Sequence, residues 1–152
     1  MIDRELEEFL VNRHIAATCL SKTKKLMLQR AWRKVFAVST YEKTGKWRYR
    51  GHDWHSFSYD FYPHLDGNRA LQKYVNIKGG VFYVIPDDKN LMGYECRGKK
   101  LPDLSSFGQD IYVVPAELGW TMVFTHEQPE FGPYYAKRIT DRNIVRDAVA
   151  AE

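Results

Sequence analysis

Five consecutive residues, Val81, Phe82, Tyr83, Val84 and Ile85, would place apolar side chains on both faces of any strand they form. Strand side chains alternate across a sheet with period 2. Such a segment needs cover above and below, and it reads as a central strand of a sheet packed on both sides. It is also the longest apolar stretch in the chain. A bilayer-crossing helix needs about 20 such residues, so no membrane role is expected. The acidic, amphipathic start around Glu5, Leu6, Glu7 and Glu8 is unlike a secretory signal.

The length of 152 residues suits one domain that carries its own core. Aromatic residues make up 14% of the chain, in keeping with a sheet-containing fold. Two cysteines, Cys19 and Cys96, exclude a disulfide framework and a zinc site built mainly of Cys. They point to a reducing, cytoplasmic setting.

Leu6, Phe9, Leu10, Ala17 and Leu20 form one stripe at 3–4 spacing and predict a helix over 3–20. Ser21 is placed to cap a second helix, over 22–38. Leu28, Ala31, Trp32, Val35 and Phe36 share one side of it, and Lys22, Arg30, Arg33 and Lys34 the other. A turn is expected over 44–46 and a strand over 52–61, ended by Pro63. Asp66 caps a middle helix over 66–76, with Ala70, Leu71, Tyr74 and Val75 inward and Gly79-Gly80 closing it. Further strands are expected over 91–97, 110–114, 118–127 and 131–138, with a loop over 98–108. A C-terminal helix over 140–151 would bury Ile144, Val145, Ala148 and Val149. The expected fold is a single α+β domain over 1–152 with a mostly antiparallel sheet. Its parts are a helical region over 1–40, basic from residue 22, a sheet core with one helix over 50–138, and the final helix.

The net charge of +4 is unevenly placed. Residues 1–50 hold 12 Lys/Arg against 5 Asp/Glu, and residues 51–152 hold 11 against 14. Residues 22–50 alone contain ten cations and one acid, Glu42. Exposed and without internal counter-ions, this stretch would steer acidic partners toward the protein. Arg30, Arg33, Lys34, Lys46, Trp47, Arg48, Tyr49 and Arg50 are the candidate partner-binding residues. Trp, Tyr and Arg anchor protein interfaces. The same interleaving of aromatic and cationic residues suits single-stranded nucleic acid, where bases stack and Arg meets phosphate.

No catalytic motif of high specificity is present: there is no P-loop, no G-x-G-x-x-G and no G-x-S-x-G. His55, His126 and Glu127 are the residues with acid–base potential. On a regular strand His126 and Glu127 point to opposite faces, and so do His52 and His55, so neither pair would share a metal or a proton. His126 reads as a core-edge residue donating to a backbone carbonyl, with Glu127 pairing a base. His55 would meet His126 only if their strands are neighbours. No metal site and no cofactor are expected. Cys96, beside Arg97, has the sequence context of a thiol with a lowered pKa.

The block Trp120-Thr121-Met122-Val123-Phe124-Thr125-His126-Glu127, followed by Gly132-Pro133-Tyr134-Tyr135, resembles a group of uncharacterised bacterial domains with a W-T-x-x-x-T-H-E and G-P-Y signature. Trp54 to Tyr59, Gly67 to Ala70 and Asp110-x-Tyr112 are similar to other parts of that group, so the resemblance covers about residues 50–138. It implies no established activity. In size and style the chain also resembles small toxin-immunity proteins. The leading expectation is a non-enzymatic immunity or inhibitor protein that occludes an acidic protein partner such as a toxin. The alternatives are a nucleic-acid binder using residues 22–50 and an enzyme using His55, His126 and Glu127.

Overall fold

The computed structural model describes residues 3–139, and within them every strand pairing is antiparallel. Helix α1 (Asp3–Asn12) leads into β1 (Ala16–Cys19), followed by α2 (Lys22–Phe36) and α3 (Val38–Thr44). A 3-10 turn at Tyr49–Gly51 precedes the single-turn α4 (His55–Ser58), the two-residue β2 (Leu65–Asp66) and α5 (Gly67–Val75). The remaining strands are β3 (Gly80–Pro86), β4 (Tyr94–Gly98), β5 (Ile111–Val114), β6 (Trp120–Phe124) and β7 (Tyr134–Lys137). They form one seven-stranded sheet in the order β1-β4-β3-β5-β6-β7-β2.

Strand alternation sorts the core into two layers. Phe82 and Val84 of β3, Ile111 and Val113 of β5, and Met122 and Phe124 of β6 face α1 and α5, where Leu6, Leu10, Ala70 and Tyr74 close the layer. Tyr83, Ile85, Tyr112, Val114 and Val123 face the opposite way, onto Leu28, Trp32 and Phe36 of α2 and onto Trp54 and Phe57. β3 is therefore apolar on both faces because helices lie on both sides of the sheet, as its composition predicts. Val81, near its start, departs from this and is exposed. Trp32 crosses into the sheet and donates Nε1–H to Thr121 Oγ1 at 2.9 Å, which satisfies both buried polar groups.

The α+β class and the antiparallel sheet match the sequence reading, while several elements do not. The helix expected over 3–20 stops at Asn12. His14 adopts a left-handed backbone (φ 61°), the chain reverses, and Ala16 to Cys19 pair with β4 as an edge strand. Ser21 does cap α2, accepting from the Lys24 N–H at 3.1 Å. The turn at 44–46 also forms, with Gly45 in the left-handed region (φ 77°) ending α3. Val75 lies on the exposed side of α5, and Asn76, not Gly79-Gly80, ends that helix.

The strand expected over 52–61 is helical turn and loop instead. Trp54 and Phe57 are buried in the same layer, and a spacing of three puts two side chains on one face of a helical turn but on opposite faces of a strand. β6 ends at Phe124, so His126 and Glu127 lie in the loop beyond it. Leu118 (φ 56°) turns its side chain into the α2 layer, opposite Trp120, Met122 and Phe124. The helix expected over 140–151 lies outside the described residues. Among those described, no helix is long and apolar enough to cross a membrane. Cys19 is exposed and Cys96 buried, both as free thiols. Burial pushes the Cys96 thiol up to about 12, the reverse of the lowered value its sequence neighbour suggests.

Candidate functional site

Asp53 sits immediately before Trp54, and packing of that indole against the sheet takes the carboxylate out of solvent. Arg33, from the last turn of α2, meets it with two hydrogen bonds, Nε to Oδ1 at 2.8 Å and Nη2 to Oδ2 at 3.3 Å. Arg48 approaches the same carboxylate at 3.4 Å and reaches Asp87, after β3, at 3.0 Å. Two arginines and two aspartates thus join α2, the 47–53 segment and the end of β3. Burial pushes the Asp53 carboxyl above its ordinary range, and the hydrogen bond and charge of Arg33 oppose that shift.

This network corrects one expectation, because Arg33 and Arg48 do have internal counter-ions. Lys25 is buried and donates to the carbonyls of Asp88 and Leu91, both at 2.7 Å. The other seven cations of the stretch, Lys22, Lys24, Arg30, Lys34, Lys43, Lys46 and Arg50, are exposed. On α2, Met27, Arg30 and Lys34 follow the outer line at spacings of three and four, opposite buried Leu28, Trp32 and Phe36. Met27 is 57% exposed and the adjacent Leu26 42%. Beside this ridge runs a groove of about 600 Å³, lined by Leu20, Leu26, Leu91 and Met92 together with Lys22 and Lys89.

The aromatic residues of the 47–50 segment are engaged with other rings. Trp47 stacks on Tyr41 with ring centroids 4.5 Å apart and 14° between planes. Tyr49 lies edge-on to Tyr59 and Phe61, and the Arg50 guanidinium lies 5.5 Å from the Tyr49 ring centroid.

A second cluster gathers on the far side of Trp54. The His52 ring lies 5.2 Å from both His55 and His126, and Trp54 lies 4.3 Å from His55. Asp110, just before β5, accepts from the His126 backbone N–H at 2.8 Å and lies 2.9 Å from His126 Nδ1. That contact assigns the ring proton to Nδ1 and leaves Nε2 as the free nitrogen, 3.9 Å from Glu127 Oε2. The acceptor for His126 is thus a carboxylate and not the expected backbone carbonyl, and Glu127 is beside His126 and not across a sheet from it. His55 Nδ1 meets Ser58 Oγ at 2.7 Å.

His52 and His55, separated in the strand reading, are neighbours because a helical turn joins them. Asp110 carries no sequence signal of a site residue beyond the D-x-Y pattern at 110–112. Partial burial, and then the neighbouring His52, hold the His55 imidazole below its ordinary range. Among the described residues, no three His, Cys, Asp or Glu side chains are arranged to hold a metal ion.

The two surfaces, one cationic and one rich in histidine, lie on a helix-covered antiparallel sheet and define a small α+β domain that carries its distinguishing chemistry in loops and on one helix. The chain belongs to the family described as "Domain of unknown function (DUF4275)", whose model matches residues 4–135. No curated protein and no solved structure matches it.

Removing Arg33 would strand a buried carboxylate, whereas Arg48 is exposed enough for water to replace it. Arg33→Met is therefore expected to cost about 3 kcal/mol in chemical denaturation, and Arg48→Met under about 1 kcal/mol. A lowered His55 pKa means that the fold favours the neutral ring. That contribution is present above the ordinary imidazole value of about 6.5 and is lost as pH falls through the folded value. Below pH ~6.5 the melting temperature should fall more steeply for wild type than for His55→Gln; parallel curves would contradict the assignment.

Proposed function

We propose that the protein is a non-enzymatic binding module that docks an acidic protein surface through the outer face of α2 and the neighbouring 46–50 segment. An immunity-type or inhibitor role, in which docking occludes the partner's working surface, is the form this takes. The observation that carries the reading is the composition of the α2 ridge, where exposed Met27 and Leu26 lie among Arg30, Lys34, Lys22 and Lys24. A purely solvated helix face has no use for large apolar side chains at its centre. An interface has, since cations steer the encounter and desolvated apolar groups hold the complex.

The Asp53 network suits the same reading, because it fixes the 46–50 segment against α2 before any partner arrives. Single-stranded nucleic acid is a poorer occupant of this surface, since Trp47 already has one face stacked on Tyr41. The expected result is that wild-type protein captures an acidic protein from its source cell, and that nuclease treatment leaves the capture intact. Arg30→Glu/Lys34→Glu and Met27→Asp should each weaken the purified complex at least about tenfold. Loss of capture on nuclease treatment would transfer the patch to nucleic acid.

The Asp110–His126 contact favours a second reading, general acid–base catalysis at the His126 Nε2 nitrogen with Asp110 orienting the ring. Under it, a panel of ester, phosphodiester and glycoside substrates should include one turned over by wild type and lost in His126→Gln. Absence of turnover across the panel rejects this reading.

A further inference from the structure

A second basic surface is built from residues far apart in the chain, none of them in the 22–50 stretch. Arg13 and His14 lie between α1 and β1, Lys78 leads into β3, and Arg97, Lys99 and Lys100 lie at and beyond the end of β4. They line one open groove of about 990 Å³, and no acid is among the described residues that line it. Three glycines complete the lining, Gly79, Gly80 and Gly98. Gly79 excludes any side chain, since a Cβ there would lie 2.1 Å from the Gly98 carbonyl oxygen, and a Cβ at Gly98 would press on Ile15 Cγ1 at 3.0 Å. The backbones of the two strands are therefore bare where the cations converge.

Arg13 is the anchored member of the set. Its guanidinium lies over the Phe9 ring at 3.3 Å and reaches the Phe9 carbonyl at 3.4 Å. Lys78, Arg97, Lys99 and Lys100 have no carboxylate within 4 Å among the described residues, and all four are exposed. Five permanent cations around one groove repel one another, and a ligand that brings several negative charges relieves that repulsion.

We propose that this groove is a phosphate-binding site for a ligand carrying two or more phosphate groups. The lining supports phosphate over carboxylate, because a phosphate presents charge in several directions and suits a ring of Lys and Arg donors around bare backbone. No Phe, Tyr or Trp is among the described residues that line it, so it has no broad stacking platform for a base. Recognition is of phosphate alone. A nucleoside polyphosphate and a nucleic-acid backbone both present that chemistry, and the groove is open enough to admit either. The site is independent of the α2 ridge and stands whether or not that ridge docks a protein.

The test measures binding of full-length protein to inorganic tripolyphosphate, to ATP and to a mixed-sequence single-stranded oligonucleotide at low and moderate salt. Arg97→Gln/Lys99→Gln/Lys100→Gln should weaken binding at least about tenfold. Arg69→Gln/Lys73→Gln/Lys137→Gln, which removes the same charge from exposed positions outside both this groove and the α2 surface, should leave it within about twofold. If the first triple variant loses its native circular dichroism, Lys99→Gln/Lys100→Gln, both fully on the surface, replaces it, with a loss of at least about threefold expected.

Tighter binding of ATP than of the oligonucleotide per phosphate identifies a nucleotide-type ligand. Binding that grows with oligonucleotide length, is indifferent to sequence and falls by about 0.7 log units per log unit of salt for each phosphate identifies a nucleic-acid backbone. Absence of binding to all three probes at low salt overturns the proposal. So does an equal loss in the two triple variants, which would reduce the effect to net charge.

Discussion

The buried carboxylate of Asp53 is the joint on which both candidate surfaces depend. Its burial follows from Trp54, which the α2 layer of the core holds in place. An ionised group removed from water requires compensation, and Arg33 supplies it from a helix 20 residues earlier. The contact fixes how the 47–53 segment leaves α2. On one side of that joint the chain presents Lys46, Trp47 and Arg50. On the other it presents His52 and His55 to His126 and Asp110. One interaction thus orients a basic surface and a histidine cluster that differ in chemistry.

Charge in this protein is organised in three ways. Arg33 and Arg48 serve the interior, and Lys25 holds the loop after β3 through two carbonyls. The α2 ridge mixes cations with exposed Met27 and Leu26, as interfaces do. The glycine-lined groove at the start of β3 and the end of β4 is cationic, with no large apolar side chain and no Phe, Tyr or Trp among its described lining residues. A single net charge of +4 conceals these separate uses. Counting charge along the chain therefore overstates the first region as a free surface and misses the third.

Much of the architecture was legible in the residues. β3 announced itself because side chains apolar on both faces admit only a strand with cover on both sides. Ser21 and the Leu28, Trp32 and Phe36 line predicted α2, since a cap and a 3.6-residue stripe are local properties. The failures are equally specific. Residues 52–61 alternate aromatic and small polar side chains closely enough to imitate a strand, yet Trp54 and Phe57 are buried in the same layer, which a helical turn allows and a strand does not. Residues 16–19 are mostly exposed on an edge strand, so burial left no pattern in them to read. His55, His126 and Glu127 read as acid–base residues from the sequence, but the strand geometry that would separate His126 from Glu127 and His52 from His55 is present in neither segment.

Local periodicity, capping and composition are enough to fix the α+β class, the central strand, the amphipathic α2 and the stock of histidines, cations and cysteines. Tertiary structure alone decided which of those groups meet. The Arg33–Asp53 pair, the Asp110–His126 contact and the convergence of Arg13 with Lys78, Arg97, Lys99 and Lys100 join residues separated by 16 to 87 positions. Sheet order and register set these distances. They arise from burying the two faces of one sheet at once, a condition that no window of sequence contains.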